Sequence, residues 1–358
     1  MRFQNKKVLV VGGAGFVGSN LCHQLLSDDA ESVTVVDNFL SAELDNLPKD
    51  KRLSLIIGSI AEDKTLLAAG KEYDYVFHLA TYHGNQSSIT NPLADHENNT
   101  FTTLKICEHF KEVTALKKIV YSSAGCTVAQ KTFDEANATT EDDTVSLYLD
   151  SPYQISKIIG EFYGNFYYAK YNLPFVKARF QNVYGPREVL GAGLWRGNPA
   201  NTIWRNVIPS FIWRSLNNEE LPLEKGGIAT RDFIYVDDIV EGLIVCALKG
   251  LPGEVYNLAS GEETSIRNLA STINDITGNL SRPLEIEART WDRSGKRFGD
   301  TAKAKKELGF ACKISLNEGL EITANWTKEN FDKIKTCMLK HSYFFNDVEK
   351  YRNVSIKQ

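Results

Sequence analysis

Apolar and polar positions fall into two kinds of block that take turns along the first half of the chain. Lys7-Val8-Leu9-Val10-Val11 is a short, β-branched run of the kind buried on both faces of a sheet. It stops at Gly12-Gly13-Ala14-Gly15-Phe16-Val17-Gly18, and residues 19–26 then put Leu21, Leu25 and Leu26 at helical spacing. Further strands are predicted at 32–36, 53–57, 74–80, 118–122 and 175–180. Helical spacing runs through 95–111 and again from Ser151-Pro152, a capping residue followed by a first-turn proline, past Phe162, Phe166 and Tyr167. The polar stretch 81–92 reads as a loop in which His83 is a solvated side chain, and Asn182-Val183-Tyr184-Gly185-Pro186 reads as a turn. Strands alternating with helices in this way predict an α/β fold, a doubly wound parallel sheet.

Beyond Gly185 the pattern changes. Residues 191–206 are rich in Gly, Asn and Trp and irregular, which marks a loop or a smaller appended region. Trp-Arg recurs at 195, 204 and 213, a spacing of about two and a half helical turns, so the pairs would not share a face. Residues 230–236 return to strand and lead into a helix through Leu248; 256–258 and 284–291 are further strands, and 265–277 and 301–308 helices. From Lys328 onward a polar tail with stray aromatics carries no motif.

Composition narrows the class. With 358 residues, 42% hydrophobic and 24% charged, the chain suits one large domain or two joined ones. A net charge of −4 without a basic run offers no footprint for nucleic acid. No apolar stretch reaches the roughly 18 residues of a membrane span, and the first strand begins too early to leave room for a signal peptide. Six cysteines without CxxC pairs suit reduced thiols, and six histidines outside any ligand spacing give no metal site. These features predict a soluble cytoplasmic protein.

The candidate chemistry lies at strand ends. Glycines between a strand and a helix let backbone N–H groups approach a pyrophosphate. Asp37 ends the second strand 25 residues after Gly12, placed to accept hydrogen bonds from an adenosine ribose and to repel a 2′-phosphate, which favours NAD over NADP. Ala80 closes the fourth strand, where ligand contact is expected. Tyr153 and Lys157 are four apart on one helix, so they share a face, and the ammonium is expected to lower the phenol pKa toward a usable base. Ser123 and Thr127, after the fifth strand, are hydroxyls that could clamp a substrate.

In this order and spacing the motifs resemble the extended short-chain dehydrogenase/reductases, specifically their NAD-dependent nucleotide-sugar epimerase/dehydratase branch, over about residues 5–325. Gly12, Gly15 and Gly18 match its GxxGxxG, Asp37-Asn38 its ribose-binding acid, and His78-Leu79-Ala80 its HLA strand end. Asn99 with Thr102-Thr103 is similar to its NxxGT helix, Tyr153 and Lys157 fit YxxxK, residues 180–186 FxNVYGP, and 231–238 RDFxYVxD. The resemblance implies a Rossmann domain over 1–183, with 231–250 returning to it. It implies a smaller C-terminal substrate-binding α/β domain from 184–230 and 251–328, followed by the polar tail 329–358. It implies that NAD is held by Gly12, Gly15, Phe16, Val17, Gly18, Asp37, Asn38, Ile60, Leu79, Ala80, Asn99, Ser122, Tyr153 and Lys157. Ser88, Asn182, Val207, Arg231 and Arg289 are implied for the nucleotide-sugar. Tyr153, Lys157 and Ser123 (or Thr127 in its place) are the implied catalytic set.

The chain departs from that pattern in four places, two of which are Ala124 at the third position of its Ser-Ser-Ser/Thr run, which leaves Ser123 or Thr127 as the clamp, and an unusual loop around Trp195. The acid usual after the third strand is Ser59, and the Asp-Glu pair of the 4,6-dehydratases is Gly125-Cys126, which argues against standard dehydration. The implied activity is C4 epimerisation of a nucleoside-diphosphate hexose through a 4-keto sugar, in a homodimer paired through the helices at 95–111 and 153–168. A nucleotide-sugar oxidoreductase or atypical dehydratase, and a non-catalytic NAD-binding protein, are the alternatives.

Overall fold

In the computed structural model of the chain, residues 1–129, 132–194, 203–290 and 295–355 are described. Six strands come first: β1 (Lys7–Val11), β2 (Ser32–Asp37), β3 (Leu53–Ile57), β4 (Tyr75–His78), β5 (Lys118–Ala124) and β6 (Phe175–Phe180). Short strands β7 (Asn182–Tyr184), β8 (Pro222–Glu224), β9 (Thr230–Arg231) and β10 (Phe233–Tyr235) precede β11 (Val255–Leu258), and β12 (Thr264–Ser265) and β13 (Leu284–Ile286) follow. The central sheet has the order β11-β6-β5-β4-β1-β2-β3, parallel throughout. The order reverses between β1 and β4, the place where such sheets open a crevice at their strand ends.

Helices α1 (Phe16–Ser27), α2 (Asp63–Ala69), α3 (Asn85–Thr90), α4 (Pro92–Asp95), α5 (Thr102–Phe110) and α6 (Pro152–Tyr171) are interleaved with the first six strands. A π-helical turn, His96–Phe101, joins α4 to α5. After them come α7 (Val207–Leu216), α8 (Val236–Lys249), α9 (Ile266–Thr277), α10 (Ala302–Leu308), α11 (Leu316–Glu329) and α12 (Phe331–Leu339). Leu21 and Leu25 of α1 and Leu243 of α8 cover one face of the sheet, and Ile106 and Phe110 of α5 with Tyr167 of α6 cover the other. Burial on both faces is why β1, β4 and β5 read as continuous apolar runs. A third cluster joins α7, α9 and α11 against Tyr184 and Tyr235.

Five expectations need correction. The stretch 81–92 contains α3, whose first residue, Asn85, accepts the Ser151 hydroxyl at 2.8 Å. Residues 182–184 are a strand paired with β10, and the turn follows at Gly185. Residues 255–258, assigned above to the smaller domain, form the edge strand of the large sheet, because α8 supplies the crossover that a parallel neighbour of β6 requires. The segment after Lys328 is folded: Phe331, Ile334, Met338, Val348 and Tyr351 are buried around Trp213, and Phe331 stacks on that indole at 4.2 Å. The predicted strand 284–291 is three exposed residues long; residue 291 and Trp195 lie outside the described residues.

Candidate active site

One cavity of about 620 Å³ runs along the strand ends from the glycine turn to Arg289. Gly12 has φ +83°, and a Cβ there would lie 2.5 Å from the Ala80 nitrogen; Gly18 packs directly on the Gly12 carbonyl. Both glycines are demanded by the turn itself. Gly15 differs, since a Cβ would meet nothing nearer than the Gly12 oxygen at 3.4 Å, and the space it leaves belongs to the cavity. Phe16 and Val17 bring the α1 N-terminus to the same wall. Asp37 accepts the Ala14 and Phe39 N–H groups at 2.9 and 2.8 Å, which fixes its carboxylate at the cavity edge against the upward push of burial on its pKa. Asn38, Ile60, Leu79 and Ala80 complete that end. The open cradle at Gly15 and the carboxylate at Asp37 fit a dinucleotide without a 2′-phosphate.

Tyr153 and Lys157, one turn apart on α6, both line the cavity, with the Lys157 Nζ 5.8 Å from the Tyr153 ring centre. The lysine donates to the Ser122 carbonyl at 2.8 Å, which holds it against the end of β5. Burial lowers Lys157 to about 8 and raises the Tyr153 phenol well above its ordinary value, with Cys126 and Asp95 pushing the phenol the same way. The expected lowering of the phenol by Lys157 is therefore overridden by desolvation.

Four expected site residues are engaged elsewhere. Ser123 reaches the cavity wall, but its hydroxyl donates to Glu161 at 2.5 Å, and Glu161 is paired through both oxygens with Arg179 at 2.8 Å. Thr127 is buried and donates to the Ala124 carbonyl. Asn99 accepts from the Tyr82 N–H and the Thr81 hydroxyl and donates to Asp95, so it shapes the 81–82 segment while its neighbour Asn98 lines the cavity. Ser88 is fully buried, donating to the Asn85 carbonyl, and Ser87 takes its place at the wall.

At the far end Asn182, Val207, Arg231 and Arg289 all line the cavity, together with Arg297 and Lys225. Arg231 donates to the Thr230 and Gly295 carbonyls, and Arg289 pairs with Glu224 at 2.6 Å. Guanidinium groups gathered at one end of a cavity suit the oxygens of a diphosphate.

The sequence matches the model of the NAD dependent epimerase/dehydratase family over residues 8–259. The chain belongs to that family. It is 30% identical over 329 residues to an uncharacterized UDP-glucose epimerase of Bacillus subtilis, covering 88% of this chain and 95% of the relative. The Bordetella bronchiseptica enzyme WbmF, solved with NAD+ and UDP, is 54% identical with a TM-score of 0.87, covering 97% of this chain and 99% of that one. A UDP-glucose 4-epimerase from Thermotoga maritima, solved with UDP-glucose, is 30% identical with a TM-score of 0.81, covering 91% and 99%.

Several residues that line this epimerase/dehydratase site escaped the sequence reading. His83, read as solvated, is in the cavity wall, its ring edge-on to Tyr153 at 5.8 Å. Its Nε2 lies 3.2 Å from the Asn206 Oδ1, and the Asn206 amide nitrogen donates to Glu188. Asn206 is the N-cap position of α7, yet its side chain makes no capping bond, forgoing about 1 kcal/mol of helix stabilisation. Cys126 also lines the wall, and its thiol is raised by burial. Its position in the Gly125-Cys126 step that replaces a dehydratase acid pair was the available signal. Glu188 and Asn206 gave none. Among the described residues no cluster could hold a metal ion.

Proposed function

We propose that this chain is an NAD-dependent nucleotide-sugar epimerase that inverts C4 of a uridine-diphosphate hexose through a transient 4-keto sugar. The observation that carries the reading is the placement of Tyr153 and Lys157 on one cavity wall, between the Gly15 cradle and the Arg231–Arg289 end. UDP or UDP-glucose is named for each of the relatives above, which supports uridine as the base. Bound NAD supplies a two-electron acceptor for the C4 hydrogen and, when oxidised, a positive charge in the cavity. Tyr153 Oη takes the C4 hydroxyl proton and later returns it, and Lys157 supplies the neighbouring charge that makes a phenolate affordable. Arg231, Arg289 and Val207 hold the nucleotide while the keto sugar turns about its diphosphate link to present its other face. Epimerisation regenerates the cofactor, so it needs no exchange between turnovers.

We also infer a homodimer, since α6 leaves Phe162 and Phe166 exposed at 56% and 54% on one stripe. A cytoplasmic setting is supported by six free cysteines, and the supply of sugars for surface polysaccharide is the role the family resemblance suggests. Incubation with a panel of nucleotide-sugars, followed by NMR, tests the activity. Interconversion of C4 epimers with NAD retained on the protein is expected; stoichiometric release of NADH would refute it in favour of a net oxidoreductase.

A further inference from the structure

We propose that Glu188 sets the sugar specificity of this site by accepting a hydrogen bond from a donor on the hexose, either a hydroxyl or an acylamino N–H. This rests on the nucleotide-sugar reading above and adds to it a residue and a class of substituent.

Three observations lead there. The first is an orphaned atom. Glu188 lines the cavity, its Oε1 is occupied by the Asn206 amide, and its buried Oε2 has no hydrogen-bond partner among the described residues. A buried carboxylate oxygen without a donor is costly, and the group that can supply one is whatever fills the cavity.

The second is the polarity of the chain that holds it. Asn206 presents its carbonyl oxygen to the His83 Nε2 and its NH₂ to Glu188. An amide oxygen only accepts, so the His83 proton sits on Nε2; an amide nitrogen only donates, so Glu188 receives at Oε1. Burial and the nearby Arg205 guanidinium, with Lys157 beyond it, keep His83 neutral, its pKa lowered to about 4. The arrangement leaves Oε2 as an acceptor that no hydrogen bond among the described residues occupies. It selects a ligand group that carries hydrogen and disfavours one that presents only lone pairs or carbon.

The third is location and cost. His83 packs edge-on against Tyr153, so the Glu188 carboxylate is reached from the reacting phenol through His83 and Asn206 alone. That places the carboxylate on the side of the cavity that holds the phenol. Asn206 gives up the capping bond its position offers in order to hold Glu188 and His83, which come from segments remote in sequence. A merely structural asparagine there would cap its own helix.

The charged groups that face this carboxylate are limited. Arg205 acts on it through space and Asn206 through its hydrogen bond, and together they only partly offset the upward push of burial, which leaves the carboxyl at about 7. Ionised, Glu188 is a pure acceptor; protonated, it can donate, and the selection weakens.

The test compares wild type with Glu188→Gln and Glu188→Met. UDP-hexoses bearing a hydroxyl, an acylamino group or hydrogen at a given ring carbon are the substrates, with kcat and KM read by NMR. Gln keeps the shape but turns a donor toward the sugar, and Met removes the charge without a buried polar atom. Wild type is expected to favour one donor-bearing series over its deoxy counterpart by about 10- to 100-fold in kcat/KM, the weight of one hydrogen bond to a charged group. The hydroxyl and acylamino arms identify which donor is taken. Both variants are expected to lose that preference mainly through KM while binding UDP and NAD as wild type does. Asn206→Ala, which leaves the carboxylate unanchored, should raise KM with kcat little changed. Variants that bind UDP and NAD normally and keep the wild-type preference would overturn the proposal. A wild-type protein inert toward the whole panel would instead refute the nucleotide-sugar reading, and this inference with it.

Discussion

Replacing Ser123 by alanine decides whether its hydroxyl belongs to the chemistry or to the interior. In the structure Ser123 Oγ donates to Glu161 at 2.5 Å, and the carboxylate is held independently by Arg179 Nε and Nη2, each at 2.8 Å. A hydrogen bond to a charged group contributes about 1.5–3 kcal/mol. Because Arg179 still satisfies both Glu161 oxygens, the alanine variant orphans nothing, and the loss should sit at the low end, about 1.5 kcal/mol. For a chain of this size that is a fall of about 2 °C in the melting temperature. Thermal unfolding followed by circular dichroism reads the stability, and NMR of epimer interconversion reads kcat. The expected result is a lower Tm with kcat within a factor of about three of wild type, or ~0.6 kcal/mol on the barrier. An unshifted Tm with kcat down by about 10²–10⁴, the range for a proton-handling group, would show that the hydroxyl serves the substrate and refute the reasoning. Glu161→Ala is the control: it strands Arg179 in the interior and should cost about 3–5 kcal/mol.

Tyr153→Phe should lower kcat by about 10²–10⁴ while equilibrium binding of NAD, measured by fluorescence, stays unchanged. The pH profile of kcat/KM should rise in two steps: as the Glu188 carboxyl, pushed up to about 7, ionises, and as the Tyr153–Lys157 pair gives up its first proton, which leaves from Lys157 at about 8 and frees an amine to take the proton of the phenol; Glu188→Gln should remove the lower step alone. Phe331→Ala removes one half of a buried stack on Trp213 and should cost about 3–5 kcal/mol in chemical denaturation, a loss that a disordered tail could not show.

What the sequence made legible was local. The β1–turn–α1–β2 unit is specified within one stretch of chain, where strand, glycines, helix and terminal Asp37 constrain one another. Tyr153 and Lys157 were visible because four residues is one helical turn. The Glu188–Asn206–His83 chain was hidden because the His83–Asn206 contact spans 123 positions and no periodicity links them. The C-terminal segment looked stray for a related reason: Phe331, Ile334 and Met338 share one face of α12, but the Trp213 indole and Tyr351 that complete their cluster come from elsewhere in the chain. Ser122 and Ser123 pose a different problem. Consecutive strand residues point to opposite faces, so identity and position alone could not say which hydroxyl is held by the His78 carbonyl and which by Glu161.

The choice of lysine at position 157 follows from the same burial that misled the sequence reading. Desolvation acts on both members of the pair, raising Tyr153 and lowering Lys157 to about 8, because each charged form is disfavoured where water is scarce. A proton passed from phenol to amine leaves the pair's net charge at zero, so phenolate and ammonium form together at a smaller cost than either would alone. Only a side chain whose pKa falls readily on burial can take part in that exchange. An arginine at 157 would stay charged whatever its neighbour did, and the tyrosine would lose the partner whose protonation tracks its own. The i,i+4 spacing therefore does more than bring a cation near a phenol: it places an amine that releases its proton at about 8 on the same cavity wall as the phenol, and the carbonyl of Ser122 holds that amine there.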